Sequence, residues 1–267
     1  MIANTRPRGS LATESMLFAG RQLTRWRREP VIPIQALLFP TLLLVTYYLL
    51  VGKSFVRITG TDSLYHLVPM CAIAGAMAGA LGAGVALVGE RDWGLLSQFW
   101  TLPVNRASAL TGRLLAEAAR TLAGTTLITA VGVGLGLRFK GGWLAAIPFV
   151  LVPVLVIVVF STAVIAIAVR AKNPTMLTWL GMASIGSAFA CAGVPPVEML
   201  PSWTHSLIRL NPLSPIIESM RALADGGPAL WPLLLTCAWI LGAAAVVGPL
   251  AVRGYRTAAE NFFGGPA

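Results

Sequence analysis

The groups in this chain that could do acid–base, nucleophilic or metal chemistry are few: two histidines, three cysteines and ten carboxylates in 267 residues. His66 and His205 each stand near the end of an apolar segment, with no second histidine or carboxylate at metal-ligand spacing. Cys71, Cys191 and Cys237 fall within or beside apolar runs, so buried, inert thiols are expected. No Gly-x-Ser-x-Gly elbow, no His-Glu-x-x-His pair and no phosphate loop of the form Gly-x4-Gly-Lys-Ser/Thr occurs. A catalytic, metal or cofactor site is therefore not expected here, and the chain cannot hold ATP through a Walker motif. Almost all carboxylates lie outside the apolar runs. Glu117 lies at the edge of one, within a helical turn of Arg113 and Arg120, and is expected to pair with them. An ion-coupled transporter keeps an ionisable group near mid-membrane. Its absence argues that any uphill transport draws its energy from another subunit.

The elements that carry these residues are set by composition. The chain is 56% hydrophobic and 11% charged, with mean hydropathy +0.76, against about 25% charged residues in soluble domains. Six apolar runs have the length that a bilayer requires. They are expected near residues 31–52, 64–88, 115–137, 143–169, 176–193 and 229–252, which makes an all-α polytopic membrane protein with a single transmembrane domain over 1–267. The first run is too long for a signal-peptide core and follows a long basic segment, so a cleaved secretory signal is not expected. The net charge of +10 would suggest nucleic acid in a soluble protein. Here the basic residues flank apolar runs, so the partner is the bilayer and not nucleic acid. Fourteen of the twenty lysines and arginines share one side: those from Arg6 to Arg28, those from Arg91 to Arg120, Arg170, Lys172, Arg253 and Arg256. The other side has Lys53, Arg57, Arg138, Lys140, Arg209 and Arg221. The richer side is expected to be cytoplasmic, with both termini inside, as an even number of spans requires.

Between the second and third runs lies the most unusual stretch, Glu90 to Glu117. It opens with Glu90-Arg91-Asp92 and carries Trp93, Trp100, Pro103, Arg106 and Arg113. Leu95, Leu96, Phe99 and Trp100 can form an apolar ridge on a short helix that Pro103 ends. Its N-terminal carboxylates suit the helix dipole. Such a helix can plug into a groove of a cytosolic partner; the plainer reading is an interfacial loop with aromatic anchors. Ahead of the first run, over 10–29, Met16, Ala19, Leu23 and Trp26 form one helical stripe and Arg21, Arg25 and Arg28 lie opposite. This is the pattern of a helix in the headgroup plane, or more simply of a basic topology anchor. Gly75, Gly79 and Gly82 in the second run allow close helix approach, either as general packing or as the wall of a cavity or subunit interface. Gly132, Gly134 and Gly136 suggest a loosened outer end of the third run. From 195 to 227 the chain is broken by Pro195, Pro196, Pro201, Pro212 and Pro215, which points to short amphipathic helices dipping into the outer face.

These residues together resemble the type-2 permeases of ABC transporters (ABC-2, or type V exporters), especially the daunorubicin-resistance branch. The match lies in Glu90-Arg91, Gly94-Leu95-Leu96, Leu102-Pro103-Val104, Arg106 and Arg113. It continues in Pro195-Pro196, Leu200-Pro201-Ser202-Trp203, Asn211-Pro212-Leu213 and Arg221-Ala222-Leu223. It covers nearly the whole chain in order. The resemblance implies an N-terminal connecting helix, six spans, a coupling helix over 90–107, outer re-entrant helices and a bacterial cytoplasmic membrane location. It also implies a dimer with an identical or sister permease and two separate ATPase subunits, which would hold ATP and magnesium. The expected ATPase-coupling residues are Glu90, Arg91, Asp92, Gly94, Leu95, Leu96, Pro103 and Arg106. The outer gate is expected at Pro195, Pro196, Pro201, Trp203, Asn211, Pro212 and Arg221. The function so implied is export of an amphipathic drug-like, lipid or glycolipid cargo, as in antibiotic efflux. Two other classes remain open: a membrane scaffold for a cytosolic partner, and an ion-coupled secondary transporter.

Overall fold

The computed structural model describes residues 10–28, 30–60, 62–92, 106–170, 175–191, 208 and 210–263. Among these every regular element is helical: α1 (Leu11–Arg28), α2 (Val31–Thr59), α3 (Leu64–Asp92), α4 (Arg106–Leu135), α5 (Ala146–Arg170), α6 (Thr175–Cys191), α7 (Leu213–Asp225) and α8 (Leu230–Phe263). A 3-10 turn, Trp143–Ala145, leads into α5. Helix ends follow local chemistry. Ser10 caps α1 by accepting from the Thr13 N–H at 3.3 Å. Asp62 accepts from the Leu64 N–H at 3.1 Å at the start of α3. Gly60 closes α2 in the left-handed region, φ 69°, where a side chain would be strained.

Among the described residues, five helical stretches are long and apolar enough to cross a membrane: Ala36–Arg57, Leu64–Arg91, Ser108–Leu135, Trp143–Arg170 and Leu230–Ala251. The chain is thus a multi-pass helical membrane protein. The fifth expected run is α6, which has 17 described residues. That is about 25 Å of helix against a hydrocarbon core of ~30 Å. Helix α4 starts at Arg106, well before the expected 115, so the residues just ahead of the third run already belong to its helix. The glycines near its far end do not loosen it: the helix is unbroken to Leu135 and turns only at Gly136, φ 123°. There Gly132 lies so close to Val68 that an added Cβ would meet it at 2.8 Å.

Helix α3 is the centre of the bundle and packs against α2, α4, α5, α6 and α7. Lipid chains remove most of the hydrophobic drive between helices, so close approach through small residues does that work. A Cβ on Gly84 would lie 2.3 Å from Val164 of α5, and one on Gly181 of α6 would lie 3.0 Å from Leu81. The helix ends define two faces of the bundle. At the Asp62 end a large apolar cluster joins Leu64, Val68, Met70, Phe149, Leu213 and Met220. Phe139 meets Phe149 edge-on at 5.4 Å. The amphipathic α7 lies on this cluster through Leu213, Ile216, Ile217 and Met220. By contrast, α8 buries almost none of its membrane-length stretch within the chain. Its Cys237 is exposed, unlike the buried Cys71, which corrects the expectation of a buried thiol there.

Candidate functional site

The opposite end of α3 carries charge inside the bundle. Glu90, in the last turns of α3, is 9% exposed. One of its oxygens accepts from Arg25 Nη1 of α1 at 2.7 Å, and the other accepts from Arg113 Nη2 of α4. One carboxylate therefore ties three helices. The next residue, Arg91, donates to the carbonyls of Ala168 and Val169 at the end of α5, both at 3.3 Å. Arg170 reaches the Leu250 carbonyl of α8 at 2.9 Å. Helix α1 also docks on α4 where Gly112 leaves room: a Cβ there would lie 2.5 Å from Phe18 Cβ. Ser15 Oγ and Thr111 Oγ1 meet beside it at 2.5 Å.

Two turns deeper in α4 stands a second pair. Arg120 Nε and Nη2 donate to Glu117 Oε2 at 3.0 and 2.7 Å, and Nη2 also reaches the Ala76 carbonyl of α3 at 3.2 Å. Both side chains are 7% exposed. The guanidinium lies on Gly79, where an added Cβ would meet Nη1 at 1.8 Å. Burying two charges is costly unless geometry and extra hydrogen bonds compensate. Here two N–H groups converging on one carboxylate oxygen, together with the α3 carbonyl, supply both.

Above this pair opens a cleft of about 620 Å³ between α1, α2, α3 and α4. Gly75, Gly79 and Gly82 form one side, Leu38, Phe39 and Leu42 another, and Gln22, Arg25 and Trp26 the rim. Gly75 packs under Pro40, with an added Cβ 2.6 Å away, whereas nothing stands within 4 Å of Gly82. The three glycines thus serve packing, charge crossing and open space respectively.

Several expected site residues take roles that the sequence did not foretell. Arg113 pairs with Glu90 and not with Glu117, because the adjacent helix presents a carboxylate at closer range. Arg25 leaves the polar face of α1 and turns inward, while Arg21 and Arg28 stay exposed. The apolar stripe divides: Met16 is 70% exposed, Ala19 is buried and Trp26 stands at the cleft. The expected pairing of Glu117 with Arg120 is present, whereas Gln22 carries no sequence signal beyond the small-residue stripe that shares the cleft with it. Asp92 and Arg106 end α3 and begin α4. Gly94, Leu95, Leu96 and Pro103 lie outside the described residues, as do Pro195, Pro196, Pro201, Trp203 and His205. At the Asp62 end, Asn211 caps α7 by accepting from the Leu213 N–H at 3.1 Å, and its Nδ2 donates to the Ser187 carbonyl of α6 at 3.2 Å. Pro212 precedes the helix. Arg221 Nη1 lies 3.1 Å from His66 Nε2. Lys140 pairs with Asp225 on the surface at 2.5 Å, and that hydrogen bond raises the lysine pKa above its ordinary 10.5.

A helical membrane bundle with a lateral cleft over a buried ion pair, and with charge clamps gathered at one end, has the make-up of a transport subunit. The chain belongs to the ABC-2 type transporter family: the family's "ABC-2 type transporter" profile matches residues 14–224. It is 32% identical to a probable doxorubicin resistance ABC transporter permease protein of Mycobacterium tuberculosis, over 97% of this chain and 96% of the relative. It is 26% identical to a daunorubicin resistance ABC transporter permease protein of Streptomyces coeruleorubidus, over 96% and 91%. It is 23% identical to a putative transport permease of Cyanophora paradoxa, over 79% and 73%. The chain is an ABC-2 permease, a transport subunit.

Proposed function

We propose that this chain is the membrane subunit of an ATP-driven exporter that moves an amphipathic drug-like or lipid-like molecule out of the cytoplasm or the inner leaflet. Separate ATPase subunits, holding ATP and magnesium, supply the energy, and a second permease subunit completes the pathway. The Glu90 end faces the cytoplasm of a bacterial inner membrane, with both termini inside. The observation that carries this reading is the cleft: apolar walls for a hydrophobic body and a buried, ion-paired floor for a polar group. Two full-length relatives named as drug-resistance permeases support the cargo class.

Energy enters through the segment that follows Glu90. A displacement of that segment pulls first on Glu90, which holds α1 through Arg25 and α4 through Arg113. Arg91 carries it to the end of α5 through two carbonyls. In this reading Glu90 and Arg91 are positioning residues, and the contact with the ATPase falls to residues beyond them. Co-reconstitution with an ABC ATPase subunit that co-purifies with the chain tests it. Substrate-stimulated ATP hydrolysis that Glu90→Lys weakens, with the complex still assembled, is the expected result. Unstimulated hydrolysis in the wild-type complex would leave a scaffold instead.

A further inference from the structure

We propose that the cargo of the cleft is a neutral amphiphile with a free hydroxyl group, and that this hydroxyl seats in a small polar chamber behind the cleft, bonded to Ser161, Glu117 and Gln22. The inference rests on the reading of the cleft as a cargo inlet and adds the functional group that the inlet reads. Three observations carry it.

The first is the chamber itself. A space of about 20 Å³ lies among α1, α3, α4 and α5. Its polar walls are Gln22, Arg113, Glu117 and Ser161, and its apolar walls include Gly84 and Ile165. Gln22 and Glu117 also line the large cleft, so the two spaces share a wall. Room of this size holds one group as large as a water molecule.

The second is an unused hydroxyl. Ser161 is 2% exposed, and its Oγ has no hydrogen-bond partner among the described residues. The neighbouring Thr162 donates to the Val158 carbonyl at 2.7 Å, a common resort of a hydroxyl in a helix. Ser161 makes no such bond and lines the chamber instead. A buried polar group left unpaired is costly, so the site favours an occupant that completes it.

The third is the balance of charge and the direction of the bonds. Arg113 pairs with Glu90, and Glu117 pairs with Arg120. The charges on the chamber walls therefore cancel, and each is already committed. An ion of either sign would be buried there without a counter-charge. Both Arg120 bonds to Glu117 end on Oε2, which leaves Oε1 to accept from another donor. A hydroxyl can donate to Oε1 while it accepts from Ser161 or the Gln22 amide, whereas a carbonyl or ether oxygen can only accept.

The test is binding, without ATP. The full-length permease in detergent is given equimolar dioleoylglycerol and its methyl ether, which differ in a single O–H. Retained lipid per chain is counted by intact-complex mass spectrometry. The wild type should retain the alcohol over the ether by about three- to tenfold, the scale of one net hydrogen bond. Ser161→Ala, which removes the hydroxyl without adding volume, should reduce the excess to about twofold or less. Ser161→Val, which fills the chamber and leaves both ion pairs in place, should abolish it. Thr162→Val, which removes a hydroxyl bonded within its own helix, should leave it unchanged. Equal retention by the wild type overturns the proposal, as does an excess that survives both Ser161 variants, which would leave the chamber to water. ATP-driven movement of both lipids alike, with equal binding, would overturn this inference alone. Binding that depends on Ser161, with no ATP-driven movement of any amphiphile, would leave the inference standing and sink the transport reading.

Discussion

The two ends of α3 are held by different physics. At the Asp62 end the helix enters a large apolar cluster with α4, α5 and α7. The Lys140–Asp225 ion pair there is exposed, with side chains 59% and 48% accessible. At the Glu90 end α3, α5 and α6 still share apolar contacts around Leu81, Leu87 and Val88. There α1 and α4 join α3 through the Arg25–Glu90–Arg113 ion pairs, and deeper through Arg120, which pairs with Glu117 of its own helix and donates to the Ala76 carbonyl of α3. Close packing has few alternative arrangements at similar energy. Ion pairs can exchange partners at modest cost once a neighbour moves. A permease driven from one side gains from this division, because the driven end can re-pair while the far end moves as a block.

Five substitutions would break or sharpen the contrast. The largest effect is expected from Arg120→Met, which strands the buried Glu117 carboxylate and should cost about 3–5 kcal/mol. Thermal unfolding in detergent should show the loss, and adding Glu117→Gln should recover most of it. Gly79→Ala should move in the same direction, since its Cβ would occupy the place of the Arg120 guanidinium. Next comes Glu90→Ala, expected to cost about 1.5–3 kcal/mol as two charged hydrogen bonds are lost from a partly buried site. Its distinctive sign is faster tryptic cleavage within α1, because the helix loses its tie to α3. Smaller again is Arg25→Ala, about 0.5–1 kcal/mol, because the arginine is part-exposed and Arg113 still serves Glu90. The least effect is expected from Lys140→Ala, with little or no change in melting temperature. The pH sign for that pair is also fixed. The lysine pKa is raised in the folded chain, so its contribution is fully present below the ordinary 10.5 and fades only as pH rises through the higher folded value. A melting temperature that fell between pH 6 and 9 and was restored in Lys140→Ala would contradict it. If Lys140→Ala cost more than Glu90→Ala, the distinction between the two ends would collapse.

Much of the fold could be read before any coordinates. Apolar runs of bilayer length report helices directly, and the division of basic residues foretold which ones share an end: Arg25, Arg91, Arg113 and Arg170 gather at one, Arg138, Lys140 and Arg221 at the other. The partners of charges were harder. Helical spacing offered Arg113 to Glu117 four residues on, but the choice depends on which face of α3 turns toward α4, a tertiary fact that period alone does not carry. Helix α1 shows the same limit. Its apolar stripe suggests which side is buried, yet the side against α4 carries Glu14, Ser15 and Ala19. In a bilayer apolar residues have two favourable surroundings, protein and lipid, so hydropathy does not choose between them. The glycine stripe announced close approach without saying that an arginine from the next helix would cross it.

The central claim is that this permease is energised from outside its own chain. Proteoliposomes containing the permease and an ABC ATPase subunit that co-purifies with it, loaded with a fluorescent amphiphile, test it most directly. ATP-dependent movement that needs both proteins, and that a proton or sodium gradient cannot drive through the permease alone, is the predicted result. Gradient-driven movement by the permease alone would contradict it.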